Sequence, residues 1–180
     1  MENFSVIREL NNDKIVQTYD LWFENEETNK LYVYIRMELC DKALNNLLEE
    51  MKNDKLVDND RLTLMGYYIS STLFIQILKG VHYLHSQNPS IIHRDLKPDN
   101  ILLKINSVNN SVIKIADMGL AVLHKYKDQS HTQDRGHIHF AAPEVLESRK
   151  YDTRADIYSL GIILRKLFLI DVNRYLTTIS

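Results

Sequence analysis

Cysteine, glycine and proline are scarce in this chain of 180 residues, and long apolar runs are missing. Its one cysteine, Cys40, excludes an intrachain disulfide and is typical of a reducing compartment. No stretch reaches the ~18 consecutive apolar residues that a membrane-spanning helix needs, and residues 1–5 lack the pattern of a signal peptide. A net charge of −2 favours no nucleic-acid surface. We therefore predict a cytoplasmic protein with neither a membrane partner nor a direct nucleic-acid partner, and its oligomeric state stays open.

A length of 180 residues predicts one domain with a sizeable core, and the mixture of strand and helix patterns predicts the α+β class. β-branched and aromatic runs predict a β-hairpin and two later short strands, whereas steps of three and four predict helices. The elements are expected at 15–23 with 31–35, 67–85, 101–103 with 112–115, and 152–169. The last helix is apolar on nearly all sides, which predicts deep burial. Residues 120–140 have no clear period and are expected to form a mobile surface segment.

The octapeptide at residues 93–100, HRDLKPDN, concentrates the groups that phosphoryl transfer needs around an acceptor hydroxyl. That reaction depends mostly on positioning and on charge stabilisation. Asp95 can orient the hydroxyl and accept its proton, and Lys97 can reach toward the transferring phosphate. The amide oxygen of Asn100 is a hard ligand suited to Mg²⁺. The octapeptide is therefore the first candidate for a catalytic site.

The octapeptide resembles the catalytic loop of protein kinases, H-R-D-L-x-x-x-N, and Lys97 is similar to the serine/threonine branch. Three further motifs follow in the order that the family uses. Residues 117–119, Asp-Met-Gly, resemble D-F-G, residues 142–144 match A-P-E, and Asp156 with 159–161 resembles the start of the central helix of the large lobe. The resemblance implies a kinase-like fold and the cofactors ATP and Mg²⁺.

The resemblance also implies roles for individual residues. Asp95 and Lys97 would be catalytic, Asn100 and Asp117 would hold the metal, and His93, Glu144 and Asp156 would be structural. Residues 37–40 resemble the hinge between two lobes, where backbone groups of Glu38 and Cys40 would bond adenine. Met37 would lie behind the nucleotide and Leu102 would form the floor of its pocket. A small buried apolar residue is the alternative for Cys40, and it fits the same site.

Regulation by phosphorylation is a further implication of the resemblance. Kinases with an arginine at the position of Arg94 are often switched by a phosphate on the activation segment, since arginine can bind phosphate with two hydrogen bonds. Ser130 and Thr132 are the candidate acceptors. The alternative, that both are ordinary loop hydroxyls, stays open.

A narrower resemblance points to the kinases of the alpha subunit of eukaryotic translation initiation factor 2. Residues 34–42, YIRMELCDK, are similar to the hinge of these kinases, Y-I-Q-M-x-x-C-x-K. Residues 15–22 partly resemble their pattern I-V-x-Y-x-x-x-W. Thr132 lies four residues before Gly136, where a double-stranded-RNA-activated member carries its activating threonine. The protein substrate implied is that alpha subunit. Cell-cycle inhibitory kinases share part of these motifs.

Three departures limit what the resemblance implies. No G-x-G-x-x-G and no V-A-I-K strand precede the hairpin, and glycine occurs only five times in the chain. The sequence is therefore expected to be a truncated kinase domain over 1–180, with a small-lobe remnant and hinge at 1–40 and the first part of the large lobe at 41–180. Glu144 should lack its usual arginine partner, and His137 replaces the usual threonine.

Two functions follow from these motifs and departures. By family, the chain is a serine/threonine protein kinase that transfers the γ-phosphate of ATP to a protein. The alternative is a non-catalytic kinase-like fragment that acts by protein–protein interaction. We expect very weak or no ATP binding by these 180 residues alone.

Overall fold

The computed structural model describes residues 8–25, 31–54, 56–105, 111–118, 139–146 and 152–170. The segment at 120–138, which contains Ser130, Thr132 and His137, lies outside the described residues. Among the helices that are described, none combines the length and the apolar character that crossing a membrane requires.

An antiparallel hairpin forms the first unit, from β1 (Thr18–Asn25) and β2 (Leu31–Met37). Trp22 pairs with Tyr34 across the strands, and their rings stack with centroids 5.3 Å apart. Cross-strand aromatic pairs of this kind stabilise a hairpin. The predicted first strand began at Ile15, but Ile15 instead forms a parallel bridge to Ile115. The hairpin is thus tied to the rest of the fold by the segment before β1.

A three-stranded sheet carries the centre of the fold. Its order is β3-β6-β7, with β3 at Lys42–Ala43, β6 at Ile101–Ile105 and β7 at Ser111–Ile115. The predicted strands at 101–103 and 112–115 are therefore confirmed, with slightly wider bounds. Between β3 and β6 lie α1 (Leu44–Asn53) and a small hairpin, β4 (Val57–Asp58) with β5 (Arg61–Leu62).

The helix α2 (Leu64–His85) is the longest element and packs one face against β7. It starts at Thr63, whose hydroxyl accepts a hydrogen bond from the backbone amide of Gly66 at 3.2 Å, as an N-cap residue does. Gly80 lies at the point where α2 crosses the sheet. A Cβ at this position would come within 2.7 Å of a methyl group of Ile115, so the helix and the sheet are in close contact here. This close crossing places the end of α2 beside the octapeptide.

Two further helices complete the described part of the fold, α3 (Pro143–Leu146) and α4 (Arg154–Leu167). The deep burial predicted for the last helix is wrong, because Ile157 and Tyr158 are exposed. Only one face of α4 enters the core. A helix that is apolar on all sides is buried completely only where neighbouring elements cover every side, and in the described part of the chain the side of α4 with Ile157 and Tyr158 is not covered.

The core lies between α2, the three-stranded sheet and the inner face of α4. Its members are Leu10, Ile15, Leu44, Leu73, Ile77, Val81, Leu84, Leu96, Ile101, Leu103, Ile113, Ile115, Met118, Phe140, Leu160, Ile163 and Leu167. Leu96 belongs to the octapeptide and is fully buried, so the core itself anchors the candidate catalytic loop.

Candidate functional site

Asp156, at the start of α4, anchors the backbone of the octapeptide. Its fully buried carboxylate accepts hydrogen bonds from the backbone amides of His93 and Arg94, both at 2.9 Å. The imidazole of His85, at the end of α2, lies 2.8 Å from the same carboxylate. A buried carboxylate is tolerated only with such partners. Asp156 therefore holds the backbone of the octapeptide at His93 and Arg94.

The side chain of Asp95 lies between two polar neighbours of the same loop. The ammonium group of Lys97 is 3.0 Å from its carboxylate, and the amide nitrogen of Asn100 donates to that carboxylate at 2.9 Å. The same nitrogen donates to the backbone carbonyl of Asp95 at 2.8 Å. Asp95 keeps partial contact with solvent, with 17% of its side chain exposed. A substrate hydroxyl can therefore reach a carboxylate whose direction is fixed.

His93 connects the octapeptide to the segment after β7. Its imidazole is fully buried, with Nδ1 accepting the Asp95 amide at 3.3 Å and Nε2 facing the carbonyl oxygen of Ala116 at 2.8 Å. An imidazole that accepts at one nitrogen and donates at the other is neutral. The backbone amide of Ala116 also donates to the carbonyl of Asn100 at 2.8 Å. These contacts fix Asp117, the next residue, relative to the loop.

Asp117 and Asn100 have the chemistry of a magnesium site. Asp117 is exposed and has a backbone φ of 62°, a left-handed conformation that aspartate tolerates better than most residues. Because the amide nitrogen of Asn100 is used by Asp95, its amide oxygen remains as a ligand. Mg²⁺ is commonly held by one or two protein oxygens together with substrate phosphates. The residues present fit such an ion, although the described residues contain no cluster of three acidic, histidine or cysteine ligands.

The hinge candidates lie between the two units of the fold. Met37 ends β2 and is exposed, whereas Glu38 and Cys40 are half-buried. Leu102 is half-buried in β6, where it pairs with Ala43. Burial raises the pKa of the Cys40 thiol, and the nearby charge of Glu38 raises it further. Cys40 is therefore held as a neutral thiol.

The carboxylate of Glu38 forms two ion pairs with the central sheet. It lies 2.6 Å from the ammonium group of Lys104 in β6 and 2.9 Å from that of Lys114 in β7. Burial raises the pKa of Glu38, but hydrogen bonds from both lysines and from the backbone amide of Gln17 outweigh it and lower the pKa to about 2. We call this set of Glu38, Lys104 and Lys114 the hinge clamp.

The remaining predicted residues occupy less central positions. Arg94 is half-buried with φ at 71°, and Glu144 is half-buried in α3. Asp152 contributes to the start of α4, since its carboxylate accepts the backbone amide of Arg154 at 2.9 Å. The predicted roles of Ser130 and Thr132 stay predictions because both lie outside the described residues.

Sequence reasoning missed His85 and the two lysines of the hinge clamp. A weak signal existed for Lys114, a charged residue between two apolar ones in a predicted strand. Such a residue faces the opposite side of the strand from its neighbours and needs a partner there. Nothing local pointed to Glu38 as that partner.

Comparison with known proteins assigns the chain to a family. A family model described as protein kinase domain matches residues 1–173. The chain is 33% identical over 180 residues to rat eukaryotic translation initiation factor 2-alpha kinase 1, and the match covers 92% of the chain and 28% of that relative. It is 34% identical to mouse interferon-induced, double-stranded RNA-activated protein kinase, which covers 89% of the chain and 31% of the relative. Cyclin-dependent kinase 2 of Caenorhabditis elegans is also 34% identical, over 93% of the chain and 41% of the relative. The chain thus spans well under half the length of these relatives.

Proposed function

Because this chain belongs to the protein kinase family, we propose that it transfers the γ-phosphate of ATP to a serine or threonine hydroxyl of a protein. The observation that carries this proposal is the arrangement around Asp95, whose carboxylate is reachable from solvent and fixed between Lys97 and Asn100. A carboxylate in that position can accept a hydrogen bond from an incoming hydroxyl and then its proton.

The other residues of the site have roles that complement Asp95. Lys97 lies beside the carboxylate and offers a positive charge to the phosphate that approaches the same hydroxyl. Asn100 and Asp117 would hold Mg²⁺, which neutralises charge that develops on the phosphates. The backbone of Glu38 and Cys40 would bond the adenine edge, with Met37 behind it and Leu102 beneath it. His93 and Asp156 keep the loop backbone in place for this chemistry.

The alpha subunit of translation initiation factor 2 is the protein substrate that we propose. Two observations support it: relatives whose names state that activity, and the hinge sequence at residues 34–42. The cytoplasmic location stays a prediction. So do the regulatory roles of Arg94, Ser130 and Thr132.

The test measures label transfer from γ-labelled Mg-ATP by the full-length product of the gene that encodes this chain. We expect phosphoserine or phosphothreonine on the alpha subunit, and a higher kcat/KM for it than for myelin basic protein. Asp117→Ala should abolish transfer, since the metal ligand is lost. Asp58→Ala is the matched control, because Asp58 is an exposed aspartate in the distant β4–β5 hairpin.

Two outcomes would contradict the proposal in different ways. Label on tyrosine would contradict transfer to serine or threonine. Transfer that survives Asp117→Ala at the wild-type rate would contradict the assigned metal site. A gene product that binds protein partners but transfers no phosphate would instead support the non-catalytic alternative. Equal kcat/KM for the two protein substrates would leave the kinase proposal standing and remove only the proposed substrate.

A further inference from the structure

The Glu38 carboxylate joins three segments of the chain that are distant in sequence. One oxygen pairs with Lys104 in β6, 66 residues away, at 2.6 Å. The other pairs with Lys114 in β7 at 2.9 Å and accepts the backbone amide of Gln17 at 3.2 Å. The backbone amide of Glu38 donates in return to the carbonyl of Gln17 at 2.8 Å. The hinge is thus bonded to the segment before β1 and to both strands of the central sheet.

Two members of the hinge clamp, Glu38 and Lys114, are shielded from solvent, whereas the side chain of Lys104 is 37% exposed. The side chains of Glu38 and Lys114 are only 10% and 11% exposed. By contrast, Glu50 forms an ion pair of the same 2.6 Å length with Lys42, but its side chain is 48% exposed. Shielded ion pairs with several hydrogen bonds fix geometry far better than exposed ones do. The clamp can therefore hold the hinge in one position.

The hinge backbone next to the clamp is available to a ligand. Asp41 is fixed as well, because its amide donates to the carbonyl of Leu103 at 2.8 Å and its carboxylate accepts the amide of Ile105 at 2.7 Å. Within the described residues, the carbonyl of Glu38 and the amide of Cys40 make no hydrogen bond. One free acceptor and one free donor thus lie between two anchored positions.

We propose that Glu38 is a positioning residue that fixes the hinge backbone for recognition of the adenine edge, through Lys104 and Lys114. This inference rests on the proposed function, since it assumes that a nucleotide binds at the hinge. A carbonyl acceptor beside an amide donor matches the amino group and ring nitrogen of adenine. Guanine presents a carbonyl and a ring N–H there, which is the reverse order. Loss of the clamp should therefore weaken adenine nucleotides selectively.

The experiment compares binding of Mg-ADP and Mg-GDP by the full-length gene product. Glu38→Gln keeps the size of the side chain and removes its charge, so we expect about tenfold weaker Mg-ADP binding and about twofold or less change for Mg-GDP. Lys104→Met and Lys114→Met should weaken Mg-ADP binding by the same factor. Lys114→Arg keeps the positive charge and should therefore retain most of the wild-type affinity for Mg-ADP. Glu50→Gln is the matched control and should leave both affinities unchanged.

A second measurement needs no nucleotide. Hydrogen exchange of the two hydrogen-bonded hinge amides, those of Glu38 and Asp41, should accelerate about tenfold in Glu38→Gln and Lys104→Met relative to amides in α2. Unchanged hinge exchange in both variants would overturn the proposal. So would equal weakening of Mg-ADP and Mg-GDP, because a general loss of stability would explain it. A wild-type protein that binds neither nucleotide would instead contradict the proposed function, and hinge exchange would still test the clamp.

Discussion

Replacement of Asp156 by alanine should be one of the most destabilising single changes in the described fold. The change removes the acceptor for two backbone amides, those of His93 and Arg94, and the partner of the His85 imidazole. The carboxylate is fully buried, so water cannot replace it without opening the loop. A buried donor left without an acceptor costs about 1–3 kcal/mol, and the two amides together cost about 2–6 kcal/mol. That is a large part of the 5–15 kcal/mol by which a domain is usually stable.

The assay is urea unfolding of this 180-residue chain, followed by circular dichroism, for wild type, Asp156→Asn and Asp156→Ala. Asn keeps one acceptor oxygen, so its loss of unfolding free energy should lie between those of the other two proteins. Asp152→Ala is the matched control, since Asp152 is an exposed aspartate at the start of the same helix. If Asp156→Ala unfolds at the same urea concentration as Asp152→Ala, the account of how the loop is anchored is refuted.

Two further predictions concern the hinge and the crossing of α2 over the sheet. The pKa of Glu38 is lowered from 4.5 to about 2, so the clamp should stabilise the protein above pH 4.5 and lose that effect as the pH falls toward 2. At pH 7, the unfolding free energy of wild type should exceed that of Glu38→Gln by about 1–2 kcal/mol, a figure reduced to allow for solvent screening. This difference should vanish near pH 2. A difference that persists at pH 2 would contradict the stabilising role of the Glu38 ion pairs. Gly80→Ala should destabilise by about 1–3 kcal/mol, because the new methyl group would collide with Ile115. Gly161→Ala in α4 meets nothing within 4 Å and should stabilise by about 0.5–1 kcal/mol through helix propensity; chemical denaturation measures both, and equal effects would refute the close crossing.

The grouping of polar side chains in the octapeptide could be predicted from sequence because it is local. Asp95, Lys97 and Asn100 lie within six residues, and their contacts in the structure are with one another. The strands β6 and β7 and the helix α2 were also predictable, since their apolar spacing is strong over their whole length. Local patterns were therefore enough for the loop and for the elements that flank it.

The clamp and the contact between His85 and Asp156 could not be predicted in the same way. Glu38 and Lys104 are 66 residues apart, and His85 and Asp156 are 71 residues apart. Nothing in the spacing of one segment specifies its partner in another. The burial of α4 was overestimated for a related reason, because composition shows that Ile157 is apolar but cannot show which neighbour covers it.

The most direct test of the claim that residues 93–100 catalyse phosphoryl transfer is the kcat of the full-length gene product carrying Asp95→Asn. Asp99→Asn is the matched control, since Asp99 is an exposed aspartate in the same loop. We predict that Asp99→Asn keeps wild-type kcat, whereas Asp95→Asn lowers it by about 10²–10⁴-fold with little change in the KM for ATP. An Asp95→Asn protein that transfers phosphate at the wild-type rate would contradict the account.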